Sequence, residues 1–431
     1  MNAQVADGPP ILFDTSAWES RSWAPREASP SCHRVTLQTH AERLRQWLFA
    51  RALPLWASQG LDQGAGGFHE ALDQSGAPLR APKRARVQAR QAYVFATAGM
   101  LGWDGPWRDR AQRGLDQLNR AYRRPDGLFR TLVSPEGDPL DETARLYDQA
   151  FVLLAFARLS AAGVRPEEME SSAAHLRDLL QSFRNRAGGF RENSERPFQA
   201  NAHMHLFEAA MEWSLVSPDP AWRALCEEIV DLALTRFVDG RLGVLGEVFD
   251  DQWRPAPGAL GRLVEPGHQF EWAWLLNRWA TLSGDLRARR VADRLRSAGL
   301  SGIGPDLGVA LDEMIDGQPR SRAARLWPQT EWLKSALDAA VDDAGCAISA
   351  AACEAMVRYL DTPLKGLWWD RLLEDGRMQA EPAPASSFYH IVTACSVLFG
   401  AVAVPSPEMS AAEAVPVPRL DDRVAAAAPG N

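Results

Sequence analysis

Two histidines in this 431-residue chain sit where acid–base chemistry could be done. His268 and His390 each follow a turn-like segment and open a strongly apolar run, with further polar residues close by. Histidine is the side chain best suited to moving a proton near neutral pH. His268 is three residues from Glu271, so on a helix the two share a face. A carboxylate there could fix the imidazole tautomer and raise its basicity. Asn201 and His205 are four apart and also share a face. His203 and His205 resemble a metal pair, but residues two apart point about 200° from each other on a helix and cannot chelate together. No metal site and no cofactor are therefore expected. Neither a nucleophile elbow nor a dinucleotide or phosphate-binding glycine motif is present.

These residues fall into a register. The steps Arg90→Tyr147→His205→His268→Glu331→His390 are 57, 58, 63, 63 and 59 residues. A lone histidine at a helix start is commonly a cap, and a lone arginine a salt-bridge partner. Six polar clusters at one spacing are a different matter, because they place the same helix end in six successive units. His33, His40, His69 and His175 lie outside the register and read as incidental.

The elements that would hold them are helical. Periodicity predicts twelve helices, roughly 38–58, 87–103, 106–121, 141–161, 166–181, 198–214, 219–236, 266–283, 286–299, 328–341, 347–359 and 384–403. A glycine followed by apolar residues, often ending in an acid or a turn, precedes every even-numbered helix. The copies are Gly66-Gly67-Phe68, Gly127-Leu128-Phe129, Gly188-Gly189-Phe190, Gly243-Val244-Leu245, Gly308-Val309-Ala310-Leu311 and Gly366-Leu367-Trp368-Trp369. Six hairpins at a period near 60 residues suggest an all-α, (α/α)6 barrel with the more apolar even helices inside; an open solenoid is the rival. The six polar clusters would then meet at one mouth. The helix N-termini there would offer spare N–H donors and a positive field for a developing enediolate.

Bulk properties agree with a globular enzyme. Hydrophobic residues make up 46%, and the net charge of −8 lacks the basic footprint of a nucleic-acid partner. No signal peptide and no membrane partner are expected, and five scattered cysteines suit a reducing, cytoplasmic setting. Residues 1–34 should form a loosely ordered extension, 35–403 the barrel and 404–431 a disordered tail. Sixteen tryptophans suit a large core, with some free for sugar stacking.

The chain resembles the N-acylglucosamine 2-epimerase superfamily, nearest in pattern to its mannose isomerase-like members. The matching stretches include Val87-Gln88-Ala89-Arg90-Gln91, Leu146-Tyr147-Asp148-Gln149, Asn201-Ala202-His203-Met204-His205, Pro266-Gly267-His268-Gln269-Phe270-Glu271-Trp272, Trp327-Pro328-Gln329-Thr330-Glu331 and Phe388-Tyr389-His390. The resemblance implies an (α/α)6 barrel, metal-independent proton transfer by His268 and His390, and sugar-binding or supporting roles for Arg90, Tyr147, Asn201, His205 and Glu271; Trp327 and Glu331 join them as candidate substrate-binding residues. N-acylglucosamine epimerases follow the last histidine with Val-Pro-Arg, whereas here Ile391-Val392-Thr393 follows. Cellobiose epimerases carry a Trp just before it, whereas here Ser386-Ser387 stands there. Both departures favour a monosaccharide such as mannose: mannose to fructose through an enediolate, with His390 as base, Arg90 and His205 on the enediolate oxygen, and His268, oriented by Glu271, moving hydroxyl protons. The alternatives are a sugar 2-epimerase, a phosphomannose isomerase or an (α/α)6 glycoside hydrolase with Glu271 and Glu331 as its carboxylates. Lys83, Arg84 and Arg86 could meet a phosphate, a solvated basic face being the simpler reading. The expected partner is a small sugar alone, the expected state a monomer or homodimer.

Overall fold

The computed structural model describes residues 30–402, residue 341 excepted. The tail expected over 404–431 lies outside them, as does the expected extension over 1–34 except for its last residues. Residues 30–34 instead open the first helix, eight residues before the expected start.

Among the described residues twelve helices form, most of them close to the expected spans. The inner ones are α2 (Ala85–Met100), α4 (Leu146–Ala161), α6 (Ala200–Val216), α8 (Pro266–Ser283), α10 (Leu326–Asp338) and α12 (Ala385–Val402). The outer ones are α1 (Pro30–Trp47, continued through Leu48–Ala52 to Leu53–Ser58), α3 (Trp107–Gln117), α5 (Pro166–Leu179), α7 (Pro220–Leu232), α9 (Leu286–Ser301) and α11 (Asp343–Leu360). Three outer helices, α1, α3 and α7, carry a five-residue π-helical segment before the glycine turn.

The ring closes. Each inner helix packs on the next, α12 packs on α2, and α1 packs on both α11 and α12. The chain is therefore an (α/α)6 barrel and not an open solenoid. The inner ring is loosest between α6 and α8. There Glu212 of α6 accepts 2.9 Å hydrogen bonds from Arg158 of α4 and from Arg278 of α8, joining three helices through one carboxylate. Helix α12 is long and apolar enough to cross a bilayer by composition, yet most of it is buried in the barrel wall.

The glycine segments explain the register. In five of them, the residue two after the first glycine is gripped by the fourth residue of the following inner helix. Gln88 bonds the N–H and C=O of Phe68, Gln149 those of Phe129, Gln269 those of Leu245 and Gln329 those of Ala310, all at 2.7–3.0 Å. In the third unit His203 occupies that position, and its Nε2 accepts from the Phe190 N–H at 2.9 Å. Burial pulls His203 down to about 4, so it stays neutral and fit to accept.

Two residues further on, the segment reaches back to the preceding inner helix. Thr131 O accepts from Ala85 N, Glu192 from Leu146 N and Tyr147 N, Glu247 O from Ala200 N, Asp370 O from Leu326 N, and Glu70 O from Ala385 N. The last of these crosses from the first segment to the last helix and sews the ring shut. It lies beside the antiparallel pairing of Ala71–Leu72 with Ala383–Pro384. The first amides of α2, α4, α6, α10 and α12 are thus consumed by neighbouring units. The expected surplus of free N–H donors at the mouth is smaller than the sequence suggested.

Candidate active site

At the N-terminal end of the inner helices lies a polar cavity of about 310 Å³. Most of the side chains on its wall come from positions two and six of these helices, one turn apart and hence on one face. They include Arg86 and Arg90 on α2, Tyr147 on α4, Asn201 and His205 on α6, Glu271 on α8, Trp327 on α10, and Ser386 and His390 on α12. His268 enters from position three of α8. The structure therefore brings His268, His390, Arg90, Tyr147, Asn201, His205, Glu271 and Trp327 together. Glu331 is not on the wall: it is fully buried behind His390.

The partners differ from expectation in two places. Glu271 does not orient His268. Instead Glu247, the acid of the fourth glycine segment, accepts from His268 Nδ1 at 2.8 Å, and Glu265 stands 3.9 Å from the same nitrogen. Glu271 lies across from His205, 3.9 Å from its Nδ1. The second correction concerns Glu331, whose Oε1 accepts from His390 Nδ1 at 2.9 Å. It supports a histidine and offers no contact to a bound molecule. Each histidine thus has its Nδ1 held by a carboxylate, leaving Nε2 for the cavity. His205 completes the set, with Glu208 3.4 Å from its Nδ1 and Tyr389 donating to the same carboxylate at 2.6 Å.

Their environments separate the two principal histidines. Burial opposes charge on His268, but the carboxylates of Glu247, Glu265 and Glu271 outweigh it and push the imidazolium up to about 10. Burial pulls His390 down to about 4. Glu331 offsets this only in part, and Arg90 and Lys334 add to the lowering. Burial likewise brings His205 to about 4, against the pull of Glu208. Glu271 is raised well above the ordinary carboxylate range, first by burial and then by the charge of Glu331, with Lys334 opposing. At neutral pH the cavity presents a charged imidazolium on one side and a neutral imidazole on another. Such a split fits one group to donate a proton while the other accepts one.

Trp327 lies between them, its ring centroid 5.0 Å from that of His268 and 5.9 Å from that of His390. Its face offers the apolar surface that a sugar ring stacks on. Arg90 donates to Tyr147 Oη at 2.9 Å and Ser386 O at 3.2 Å, and its guanidinium lies 4.0 Å over the Phe151 ring. Arg90 Nε, Asn201 Oδ1 and Glu271 Oε1 are buried without a hydrogen-bond partner, three polar atoms that an incoming hydroxyl could satisfy.

Three groups of His and Glu bring donor atoms within 4.8 Å of each other: His205/Glu208/Glu271, Glu247/Glu265/His268 and Glu271/Glu331/His390. In the first group Glu271 of α8 joins His205 and Glu208, which are three apart on α6. In each group, however, the histidine Nδ1 faces a carboxylate at hydrogen-bonding distance. That geometry orients each imidazole. Lys83 is turned away from the cavity into a buried ion pair with Asp62. Arg84, Arg86 and Arg325 do line the cavity, each paired: with Glu70, with Asp148, and with Glu265 and Asp312.

Glu247 and Lys334 were missed from the sequence. Glu247 carried a signal, since it is the acid that closes its glycine segment, in the place of Glu70, Glu192, Asp312 and Asp370 in the other copies.

The N-acylglucosamine 2-epimerase (GlcNAc 2-epimerase) family model matches residues 66–394. A mannose-6-phosphate isomerase of Rhizobium meliloti (strain 1021) is 44% identical over 376 residues, covering 84% of this chain and 97% of that protein. A D-mannose isomerase of Thermobifida fusca is 31% identical over 269 residues, covering 56% of this chain and 64% of the other. Among solved structures, a cellobiose 2-epimerase from Spirochaeta thermophila DSM 6192 superposes with a TM-score of 0.77 at 23% identity, over 88% of this chain and 99% of that one, which shows the shared fold. The matched span runs from the first glycine segment into α12 and takes in His205, His268 and His390, and on it the chain belongs to the N-acylglucosamine 2-epimerase family of sugar isomerases and epimerases.

Proposed function

We propose that this chain is an aldose–ketose isomerase of a mannose-type monosaccharide, with His390 and His268 as its acid–base pair. The observation that carries the reading is the pair of imidazoles on a single cavity wall, each fixed at Nδ1 by its own carboxylate. His390, neutral, takes the proton from C2 of the open-chain aldose. Arg90 and His205 hold the enediolate oxygen, the kind of electrostatic support that commonly contributes most to rate. His268, charged, delivers protons to the sugar oxygens and opens the ring at O5. Return of the C2 proton to C1 from the same face gives the ketose. Glu331 is enclosed by His390 and Lys334 and cannot flank a glycosidic bond, which disfavours a two-carboxylate hydrolase.

A second reading, that the sugar carries a 6-phosphate, is favoured by the guanidiniums of Arg84, Arg86 and Arg325 on the wall and by the likeness to the mannose-6-phosphate isomerase of Rhizobium meliloti. One experiment addresses both: NMR of mannose and of mannose 6-phosphate incubated with the protein in D2O. The expected product is the matching ketose with deuterium at C1. A C2 epimer appearing first, with no early ketose, would reject the isomerase in favour of the epimerase.

A further inference from the structure

Beneath the cavity floor a lysine is buried where the fold gives it no route to water. Lys334 lies on α10, one turn after Glu331, and is fully enclosed. Its Nζ forms a 2.5 Å ion pair with Glu331 Oε2 and stands 4.2 Å over the Trp274 ring of α8. The charges of three carboxylates from three helices favour this single cation: Glu331 of α10, Glu271 of α8 and Glu208 of α6. A buried ammonium is costly unless paired, and three buried carboxylates near one another cannot all ionise at ordinary pH without a cation.

The consequence reaches His390 through one carboxylate. Glu331 has two oxygens with two different tasks: Oε2 meets Lys334, and Oε1 accepts from His390 Nδ1. We propose that Lys334 is a positioning residue that keeps Glu331 ionised and turned to His390, and so governs the pH at which His390 can accept the substrate proton. This rests on the proposed role of His390 as base. The charged and titratable groups facing His390 are Glu331 and Lys334 from α10, Arg90 from α2 and Tyr389 on its own helix. Glu271 of α8 also lies close, within the same His/Glu group. Arg90 and Lys334 both disfavour the imidazolium. Arg90 touches the cavity and belongs to the binding machinery, whereas Lys334 touches neither the cavity nor any group in it except through Glu331 and Glu271.

Removing the Lys334 charge must favour the imidazolium of His390. Whether Glu331 then stays ionised or shares its proton with the histidine, the pair holds that proton to higher pH. Lys334→Met keeps length and apolar bulk while deleting the charge. The expected result is that the acid limb of kcat/KM moves upward by about one pH unit or more, with KM at the plateau little changed. Lys334→Arg should hold the limb within about half a unit of wild type. An acid limb left in place in a folded Lys334→Met would overturn the proposal.

Two further measurements guard the test. If Lys334→Met does not fold, Lys334→Met/Glu208→Gln restores the formal charge of the cluster, and its acid limb should lie above that of Glu208→Gln alone; coincident limbs reject the role. The His390 ring can also be titrated by NMR in the substrate-free protein, with its resonance assigned by loss in His390→Gln. An upward shift in the variant with no isomerase activity in wild type would keep the electrostatic role of Lys334 and reject the proposed function. Activity with an unmoved ring titration would do the reverse.

Discussion

At the scale of the residue, the two histidines are chemically alike and made different by what surrounds them. Glu247, Glu265 and Glu271 oppose the desolvation of His268 and win; Glu331 opposes that of His390 and loses to burial, Arg90 and Lys334. The active form under the proposed mechanism has His390 neutral and His268 charged. It exists above the His390 value of about 4 and below the His268 value of about 10, so kcat/KM should be flat across neutral pH and fall on both sides. His390→Ala and His268→Ala should each lower kcat by at least about 10²-fold with the fold intact by circular dichroism, while His175→Ala, outside the cavity, should not. Glu247→Gln separates the limbs. Losing that carboxylate lowers the His268 value, so the alkaline limb should move about one to three units toward neutrality while the acid limb stays. A pH–rate profile in which both limbs move, or neither, would show that Glu247 does not set the charge of His268. These partners were only half legible. The i,i+3 rule pointed from His268 to Glu271 because both lie on one helix. The true partner is 21 residues upstream across a turn, at a distance that no helical periodicity reports.

At the scale of the element, the repeat that matters is finer than the hairpin. The fourth residue of an inner helix grips the preceding glycine segment, and positions two and six of the same helix face the cavity. Because grip and site are offset by fixed numbers of residues, the 57–63-residue spacing of the polar residues was readable from sequence alone. Helix boundaries were readable for the same reason, apart from the start of α1, eight residues early, that of α11, four residues early, and that of α4. Its expected start at 141 gave way to 146, because Pro139–Asp141 pairs with Leu132–Val133 and that unit continues as a strand. The glutamine grip went unnoticed, since a glutamine in an apolar helix resembles a surface residue when its backbone partners are 20 residues away. Gln149→Leu should cost about 2–4 kcal/mol in urea unfolding, because it strands a buried N–H and a buried C=O of Phe129. His203 occupies the glutamine position of its unit. His203→Gln should therefore lie within about 1.5 kcal/mol of wild type, and His203→Leu should fall with Gln149→Leu, since only the former keeps an acceptor for the Phe190 N–H. Equal losses for the two His203 substitutions would mean that the aromatic cage of Phe190, Phe237 and Trp253, and not the hydrogen bond, holds that segment.

At the scale of the whole molecule, closure was the step that sequence could favour and not establish. Six units are compatible with an open stack, and what distinguishes a ring is contact between the two ends of the chain. Besides the helix packing, contacts of this kind fall on the last glycine segment. Trp56 near the end of α1 stacks on Trp368 at 4.7 Å, and its indole N–H donates to Gly366 O at 3.2 Å. Gly366 has φ +106°, and a Cβ there would stand 2.8 Å from the backbone oxygen of Arg51 in α1. Gly308, the equivalent residue of the fifth unit, has φ +64° and no atom within 4 Å of the same position. The two glycines thus share a left-handed backbone and differ in whether the ends of the chain meet over them. Gly308→Ala should cost only the left-handed penalty of about 1–2 kcal/mol. Gly366→Ala should cost about 2 kcal/mol more, because relieving the clash requires α1 to shift off the last hairpin and to loosen the Trp56–Trp368 stack. If closure makes the barrel one cooperative unit, the Gly366→Ala protein will unfold in a single transition at lower urea, with tryptophan fluorescence and circular dichroism coincident. Equal costs at Gly308 and Gly366 would show that the contact between α1 and the last segment adds nothing to the stability of the ring.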